Sequence, residues 1–290
     1  MPGNQEPEAA GRAVMVTGAS TGIGFHAACY LAARGFQVFG GVRKEVDGTP
    51  LEREGVVPVL LDVTSEASVR VGRDFVADQL RDIPLWGLVN NAGVTAPGPL
   101  ELLEVEEYRQ VMEVNLLGVV TVTKAFLPLL KTSKGRIINV SSVSVNSSPP
   151  FLSPYVASKS ALESLSHCLR REIYPYGIDV VILQPGNVDT PLWQKAASRD
   201  IGRAAGTIYE PPLVSLKRYV EFIPKMSPSR TSEAIYRALS KRRPPLLMSV
   251  VAQWLEHLLM RWLPERMKDR LIAQQVWGRV SPPANPKQEQ

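Results

Sequence analysis

Apolar positions in the first 190 residues fall into short runs separated by longer segments of helical spacing. Ala13–Val16 is one such run. A helical stretch over 25–33 follows it, then a second run over 36–39, which together read as a strand–helix–strand unit. The rhythm continues with predicted strands at 56–61, 87–89, 136–140 and 178–183, and predicted helices at 66–80, 104–130 and 154–174. Runs such as Val56-Val57-Pro58-Val59-Leu60-Leu61 and Val180-Val181-Ile182-Leu183 are almost continuously apolar, as expected of parallel strands covered on both faces. Right-handed crossovers then give an α/β fold, a Rossmann-type doubly wound parallel sheet.

Beyond Thr190 the pattern degrades into Pro211-Pro212, a mixed segment to Pro228 and a predicted helix over 232–239. So long a stretch near strand ends reads as a substrate lid. Residues 246–263 are apolar, interrupted mainly by Gln253, Glu256, His257 and Arg261, and hold no uninterrupted stretch of about 20 apolar residues, so a spanning helix is not expected. Trp254, Leu255, Leu258, Trp262 and Leu263 recur there at helical spacing, with Arg261, Arg266, Lys268 and Arg270 close by. Two readings stay open for that face: burial against the domain or a dimer partner, or peripheral contact of 246–270 with a membrane. The expected organisation is one domain: a disordered leader at 1–11, a dinucleotide-binding catalytic core at 12–195, a lid and closing helix at 196–245, an apolar C-terminal segment at 246–278 and a disordered tail at 279–290.

Composition adds limits. A chain of 290 residues is long enough for one large α/β domain, and its 24 prolines cluster in the second half, where the lid is placed. The net charge of +5 comes from basic residues interleaved with acids as far as Asp200, a distribution that argues against nucleic acid. Cys29 and Cys168 each fall in a predicted helix, so no disulfide framework is expected and a reducing, cytoplasmic location fits, with peripheral membrane attachment the variant. His26, His167 and His257 have no ligand spacing among them, and no metal site is expected.

Thr17-Gly18-Ala19-Ser20-Thr21-Gly22-Ile23-Gly24 follows the first strand and opens the first helix. In that setting Gly18, Gly22 and Gly24 permit a tight turn and close backbone approach to a pyrophosphate, whose charge meets the helix N-terminus. Asp62 ends the third strand, placed either to accept from an adenine amino group or to cap the next segment; Val63 follows it, and Asn90-Asn91-Ala92-Gly93 ends the next strand at the same sheet edge. Where an acid would bind a ribose diol and a base a 2′-phosphate, this chain has Arg43-Lys44, which favours NADP(H), while Glu45 and Asp47 keep NAD(H) open.

Tyr155 and Lys159 are one helical turn apart on one predicted face. An ammonium beside a phenol favours the phenolate, so Tyr155 is expected to exchange a proton with a substrate oxygen while a nicotinamide exchanges hydride with the attached carbon. Ser142, thirteen residues before the tyrosine, would hydrogen-bond the developing oxyanion, and Asn115 could hold a water linking Lys159 to solvent.

With these motifs in place, the chain resembles the short-chain dehydrogenase/reductase family from about Ala13 to Thr190, and segments such as Phe126-Leu127-Pro128-Leu129-Leu130 resemble the branch containing retinol, hydroxysteroid and 3-hydroxybutyrate dehydrogenases. The resemblance implies that Tyr155 is the acid/base, that Lys159 binds nicotinamide ribose and tunes Tyr155, that Ser142 orients substrate and that Asn115 completes a proton relay. It also implies cofactor contact by Ser20, Thr21, Ile23 and Asn90, and by Ala92 and Gly93. Pro185-Gly186 would run beside the carboxamide, with Val188 contacting it through its backbone and Thr190 through its hydroxyl. The glycine turn and Arg43 depart from that branch, so its substrate and cofactor do not transfer directly. A lid carrying Leu192, Trp193, Ile208, Tyr209, Leu213, Tyr219 and Phe222 suits an apolar lipid-, retinoid- or steroid-like carbonyl or alcohol. A homo-oligomer is expected. Two rivals remain: a catalytically silent nucleotide-binding regulatory protein on the same fold, and a membrane-interaction protein whose enzyme domain is secondary.

Overall fold

The computed structural model describes residues 11–197, 202–222 and 225–278. Residues 1–10 of the expected leader and all of the expected tail at 279–290 lie outside the described residues, as do 198–201 and 223–224 of the lid. Seven strands form one sheet in the order β3-β2-β1-β4-β5-β6-β7, every neighbouring pair parallel. They are β1 (Ala13–Val16), β2 (Gln37–Val42), β3 (Val57–Leu60), β4 (Leu85–Asn90), β5 (Arg136–Val140), β6 (Asp179–Pro185) and β7 (Leu247–Val250). The expected doubly wound sheet is therefore observed, and its order reverses between β1 and β4, the switch point where ligands bind in open α/β sheets.

Helices cover both faces. On one side α1 (Gly22–Ala32) and α9 (Pro228–Ser240) close a core with Val14, Val16, Val38 and Leu183. On the other, α3 (Glu66–Leu80) and α5 (Gly118–Ser133) close a second core with Met15, Phe39, Leu88 and Ile137. Local chemistry starts these helices where it can: Ser65 caps α3 by accepting from the Ser68 amide at 3.2 Å, and Glu104 with Glu107 forms a capping box on α4 (Val105–Met112).

The helix expected over 104–130 runs in fact from α4 through a π-helical turn at Glu113–Leu117 into α5. Its signature is the Gly118 amide bonded to the Glu113 carbonyl, five residues back. This run, Val105–Ser133, is long and apolar enough by length and composition to cross a bilayer; here Val111, Val122, Phe126 and Leu130 are buried in the protein core. The expected pair Tyr155 and Lys159 lies on α6 (Ser153–Glu172), a helix expected over 154–174.

Helices α2 (Thr49–Arg53), α7 (Pro191–Ala197) and α8 (Glu210–Phe222) stand where no helix was expected. The segment expected only as an apolar run from 246 begins with β7, which extends the sheet beside β6. It continues into α10 (Trp254–Trp262), where helical spacing was expected, and α11 (Glu265–Trp277). A small third cluster joins Phe151, Leu213 of α8 and Val276 and Trp277 of α11, so the lid and the C-terminal helices pack on the loop that precedes α6.

Candidate active site

The loops at the C-terminal ends of β1, β2, β3, β4, β5 and β6 line one cleft of about 350 Å³. Its nucleotide half is built by the turn between β1 and α1. Gly18 and Gly22 have φ of +64° and +59°, a region open to glycine and costly for other residues. A Cβ on Gly22 would stand 3.2 Å from the Thr190 side chain, which closes over the turn from the far lip. A Cβ on Gly24 would meet the Gly18 carbonyl oxygen at 2.2 Å, so Gly24 serves the folding of the turn and stands behind the cleft wall. The first-turn amides of α1 have no intrahelical acceptor and provide an anion-binding end.

Asn91 holds this turn: its Nδ2 donates to the carbonyls of Thr17 at 3.0 Å and Gly18 at 3.2 Å, while Thr17 Oγ1 accepts from the amides of Asn91 and Ala92. Asn90, expected at the cofactor, is turned the other way. Its side chain is buried, donating to Asn139 Oδ1 at 2.8 Å and Thr123 Oγ1 at 3.1 Å, because successive side chains of a strand point to opposite faces. Asp62 and Val63 line the cleft, and Asp62 Oδ1 accepts from the amide and hydroxyl of Thr64, so the turn-capping role occupies that oxygen. Arg43 is exposed on the cleft wall at the end of β2, beside Gly41 and Val42.

At the reacting half, Ser142, Tyr155 and Lys159 share the wall. Ser142 caps the short turn Val143–Asn146, its Oγ accepting from Ser144 N at 3.2 Å and Ser144 Oγ at 2.9 Å. Burial pushes the Tyr155 phenol above its ordinary value, and a hydrogen bond with Ser142 pulls it back. Lys159 Nζ donates to the Val140 carbonyl at 2.8 Å and lies 5.9 Å from the Tyr155 ring centroid. Burial lowers its pKa to about 8, against which the charge of Glu163 acts. The phenol, expected to be lowered by the ammonium, is instead raised by burial, and the opposing effect comes from Ser142.

Asn115 is fully buried behind this wall. Its Oδ1 accepts from the Val94 amide at 2.8 Å, and its Nδ2 donates to the Val94 carbonyl at 3.0 Å and to Ser158 Oγ at 2.9 Å. The side chain expected to hold a water is therefore committed to fixing the strand end after β4 against α6. A Cβ on Gly93 would lie 3.4 Å from Asn115 Oδ1 and 3.6 Å from Lys159 Nζ, so only a small residue leaves that corner open.

Pro185, Gly186, Val188 and Thr190 complete the wall. Their loop is pinned by the Asp189 amide to the Met226 carbonyl at 3.0 Å and the Met226 amide to the Asn187 carbonyl at 2.7 Å. From the expected lid, Leu192 and Trp193 line the cleft, and Trp193 meets Tyr155 edge to face at 5.8 Å. Tyr209 and Leu213 pack instead in the third cluster, and Ile208 is exposed. The side chains of Tyr219 and Phe222 lie outside the described residues.

Of the expected site residues, only Gly24, Asn90 and Asn115 stand off the wall; Ser20, Thr21, Ile23 and Ala92 are on it. Sequence reasoning named Asn91 only within the Asn90-Asn91-Ala92-Gly93 run and missed Thr95 and Ser141 on the wall and Glu163 behind it, although the four-residue step from Lys159 to Glu163 was a usable signal. A cradle of glycines whose added Cβ atoms would collide, an anion-binding helix end and a basic residue after β2 together fit a dinucleotide.

A family described as short chain dehydrogenase matches residues 12–200. The mitochondrial D-beta-hydroxybutyrate dehydrogenase of Mus musculus is 38% identical over 195 residues, a match covering 63% of this chain and 56% of that protein. The 17-beta-hydroxysteroid dehydrogenase type 2 of Homo sapiens is 41% identical over 198 residues, covering 63% and 51%. The chain thus spans about half the length of these curated relatives. The crystal structure of a short chain dehydrogenase from Burkholderia cenocepacia in complex with NADP is 26% identical, with a TM-score of 0.71 over 92% of this chain and 99% of that one.

Proposed function

Because the chain belongs to the short chain dehydrogenase family, we propose that it is an oxidoreductase using a nicotinamide dinucleotide to interconvert a ketone or aldehyde and an alcohol. The observation that carries this reading is the placement of Ser142, Tyr155 and Lys159 on one cleft wall whose other end is the glycine turn. A bound nicotinamide dinucleotide supplies or takes the hydride. The glycine turn and the start of α1 would hold its pyrophosphate, and the Pro185-Gly186 loop with Val188 and Thr190 would hold its carboxamide end. Tyr155 gives its phenolic proton to the substrate oxygen during reduction and takes it back during oxidation; Ser142 hydrogen-bonds the same oxygen. Lys159 would bind the ribose and favour the negative charge that the phenol gains on giving up its proton, with Asn115 holding the chain after β4 against α6 behind the pair.

The test is a nicotinamide absorbance screen of the full chain with a carbonyl and alcohol panel and both nucleotides. Tyr155→Phe is expected to lower kcat by about 10²–10⁴-fold while nucleotide binding persists. Full activity of that variant would overturn the proton-transfer role, and nucleotide binding by the wild type without turnover of any panel member would favour a silent regulatory protein.

Arg43 on the cleft wall supports NADP(H) as the preferred cofactor, with a guanidinium suited to fork onto a 2′-phosphate. Arg43→Asp should raise KM for NADP(H) at least about tenfold with little change for NAD(H); equal losses with both nucleotides refute phosphate recognition there. Leu192 and Trp193 beside Tyr155 support an apolar carbonyl or alcohol, lipid-, retinoid- or steroid-like. The exposed apolar face of α10 supports peripheral attachment to a membrane surface, from a cytoplasmic location.

A further inference from the structure

Tyr155, Lys159 and Glu163 follow one another at four-residue steps on α6 and so share one helix face. Glu163 is half-buried, and its Oε1 accepts hydrogen bonds from Ser141 Oγ at 2.6 Å and Gln184 Nε2 at 2.8 Å. Ser141 adjoins Ser142, and its amide is bonded to the Leu183 carbonyl at 2.7 Å. Gln184 is buried in β6 directly before Pro185-Gly186; its Oε1 accepts from Ser249 Oγ of β7 at 2.9 Å and from Asn146 Nδ2 at 3.4 Å. One carboxylate is therefore the hub of a polar chain that spans α6, the ends of β5, β6 and β7, and the Ser142 turn.

A neutral amide would satisfy the same two donors. What the glutamate adds is negative charge, one turn from a buried ammonium. We propose that Glu163 is a positioning residue: anchored by Ser141 and Gln184, its carboxylate ties α6 to the strand ends carrying Ser142 and the Pro185-Gly186 loop, and one turn from Lys159 it supplies the counter-charge that keeps the buried ammonium protonated. The inference rests on the reading of Tyr155 and Lys159 as the proton-transfer pair. Burial and Glu163 act on Lys159 in opposite directions, with burial the larger. The other groups facing this pair are Tyr155 on α6 and the neutral Ser141, Gln184 and Asn146. The Lys268 ammonium and Glu265 of α11 stand beyond the Asn146 carbonyl, which Lys268 Nζ meets at 3.1 Å.

The decisive variant is Glu163→Gln in the full chain, which keeps an acceptor oxygen for both donors and removes only the charge. The protein is labelled with ¹³C-lysine and titrated by NMR, the Lys159 signal being identified by its loss in Lys159→Arg. The Lys159 midpoint, about 8 in the wild type, is expected to move to lower pH in Glu163→Gln. The alkaline limb of kcat should move with it and kcat at pH 8 should fall about fivefold, with KM for the nucleotide nearly unchanged. An unmoved midpoint in a folded variant overturns the proposal. Should Glu163→Gln fail to fold, Glu163→Asp, whose shorter side chain withdraws the charge from both anchors, must still lower kcat and move the midpoint to lower pH; wild-type values in both would overturn the proposal equally. A chain that turns over no substrate while the midpoint moves refutes the oxidoreductase reading and supports the charge coupling.

Discussion

An ammonium buried next to a phenol is held at a cost that depends on pH. Lys159 titrates at about 8 in the folded chain and near its ordinary 10.5 when unfolded. Between those values the unfolded chain binds more protons, so this group's contribution to stability rises with pH across that window, by about 3 kcal/mol at most. Lys159→Met removes the titration. The stability of that variant minus that of the wild type, followed by thermal unfolding, should therefore fall as pH rises from 8 towards 10.5; a difference constant with pH would contradict a buried, destabilised ammonium. The residue scale is also where the sequence was only half legible. The spacing of Tyr155 and Lys159 put both on one wall of the cleft, because a four-residue step on a helix fixes a shared face, and Ser142 joins them from its loop. Asn90-Asn91 did not reveal which amide faces the cleft, since adjacent residues at a strand end point oppositely and either phase fits the composition. Gly24 was read as a cofactor contact because a motif does not distinguish a glycine that touches ligand from one that lets the turn close on itself.

At the scale of elements, long periodic segments were legible and short or proline-led ones were not. The helix over 104–130 was expected as regular because Val114, Leu116, Leu117, Val119 and Val120 are apolar on every side of Asn115, so one extra residue per turn leaves no break in the pattern. The π turn there brings Asn115 to Val94 and Ser158, a junction between β4's end and α6 that periodicity has no means of showing. Pro211-Pro212, where the periodic pattern degrades in sequence, lies with Pro50 and Pro191 in the first turn of α8, α2 or α7, where a missing amide hydrogen has no intrahelical acceptor to lose. β7 went unrecognised because a four-residue strand, three of whose residues are apolar, is too short to show a period of its own.

At the scale of the whole molecule, the two main cores lie on opposite faces of the sheet, and α10 belongs to neither. Trp254 and Trp262 are 67% and 76% exposed, and Leu255, Leu258 and Leu259 are exposed between them, so burial against the chain's own domain, one expected use of this face, is not what is observed. At about 14 Å this helix is too short to cross a bilayer, but it can lie in one. Exposed Arg261 lies on α10 itself and exposed Arg266 and Arg270 follow on α11, charges suited to anionic headgroups. Its neighbour α11 reaches the Ser142 turn through Lys268, whose Nζ donates to the Asn146 carbonyl, and packs Trp277 on Phe151 at 6.2 Å. The full chain should accordingly float with phosphatidylserine-containing vesicles and less with phosphatidylcholine alone. Trp254→Ser, Leu258→Ser and Trp262→Ser combined should lower vesicle binding at least about tenfold while leaving thermal unfolding nearly unchanged, since exposed apolar side chains contribute to burial only at the lipid. A chain that stays behind in every vesicle preparation, but whose light-scattering mass is that of a dimer and halves in the triple variant, would assign the face to a second copy of itself instead.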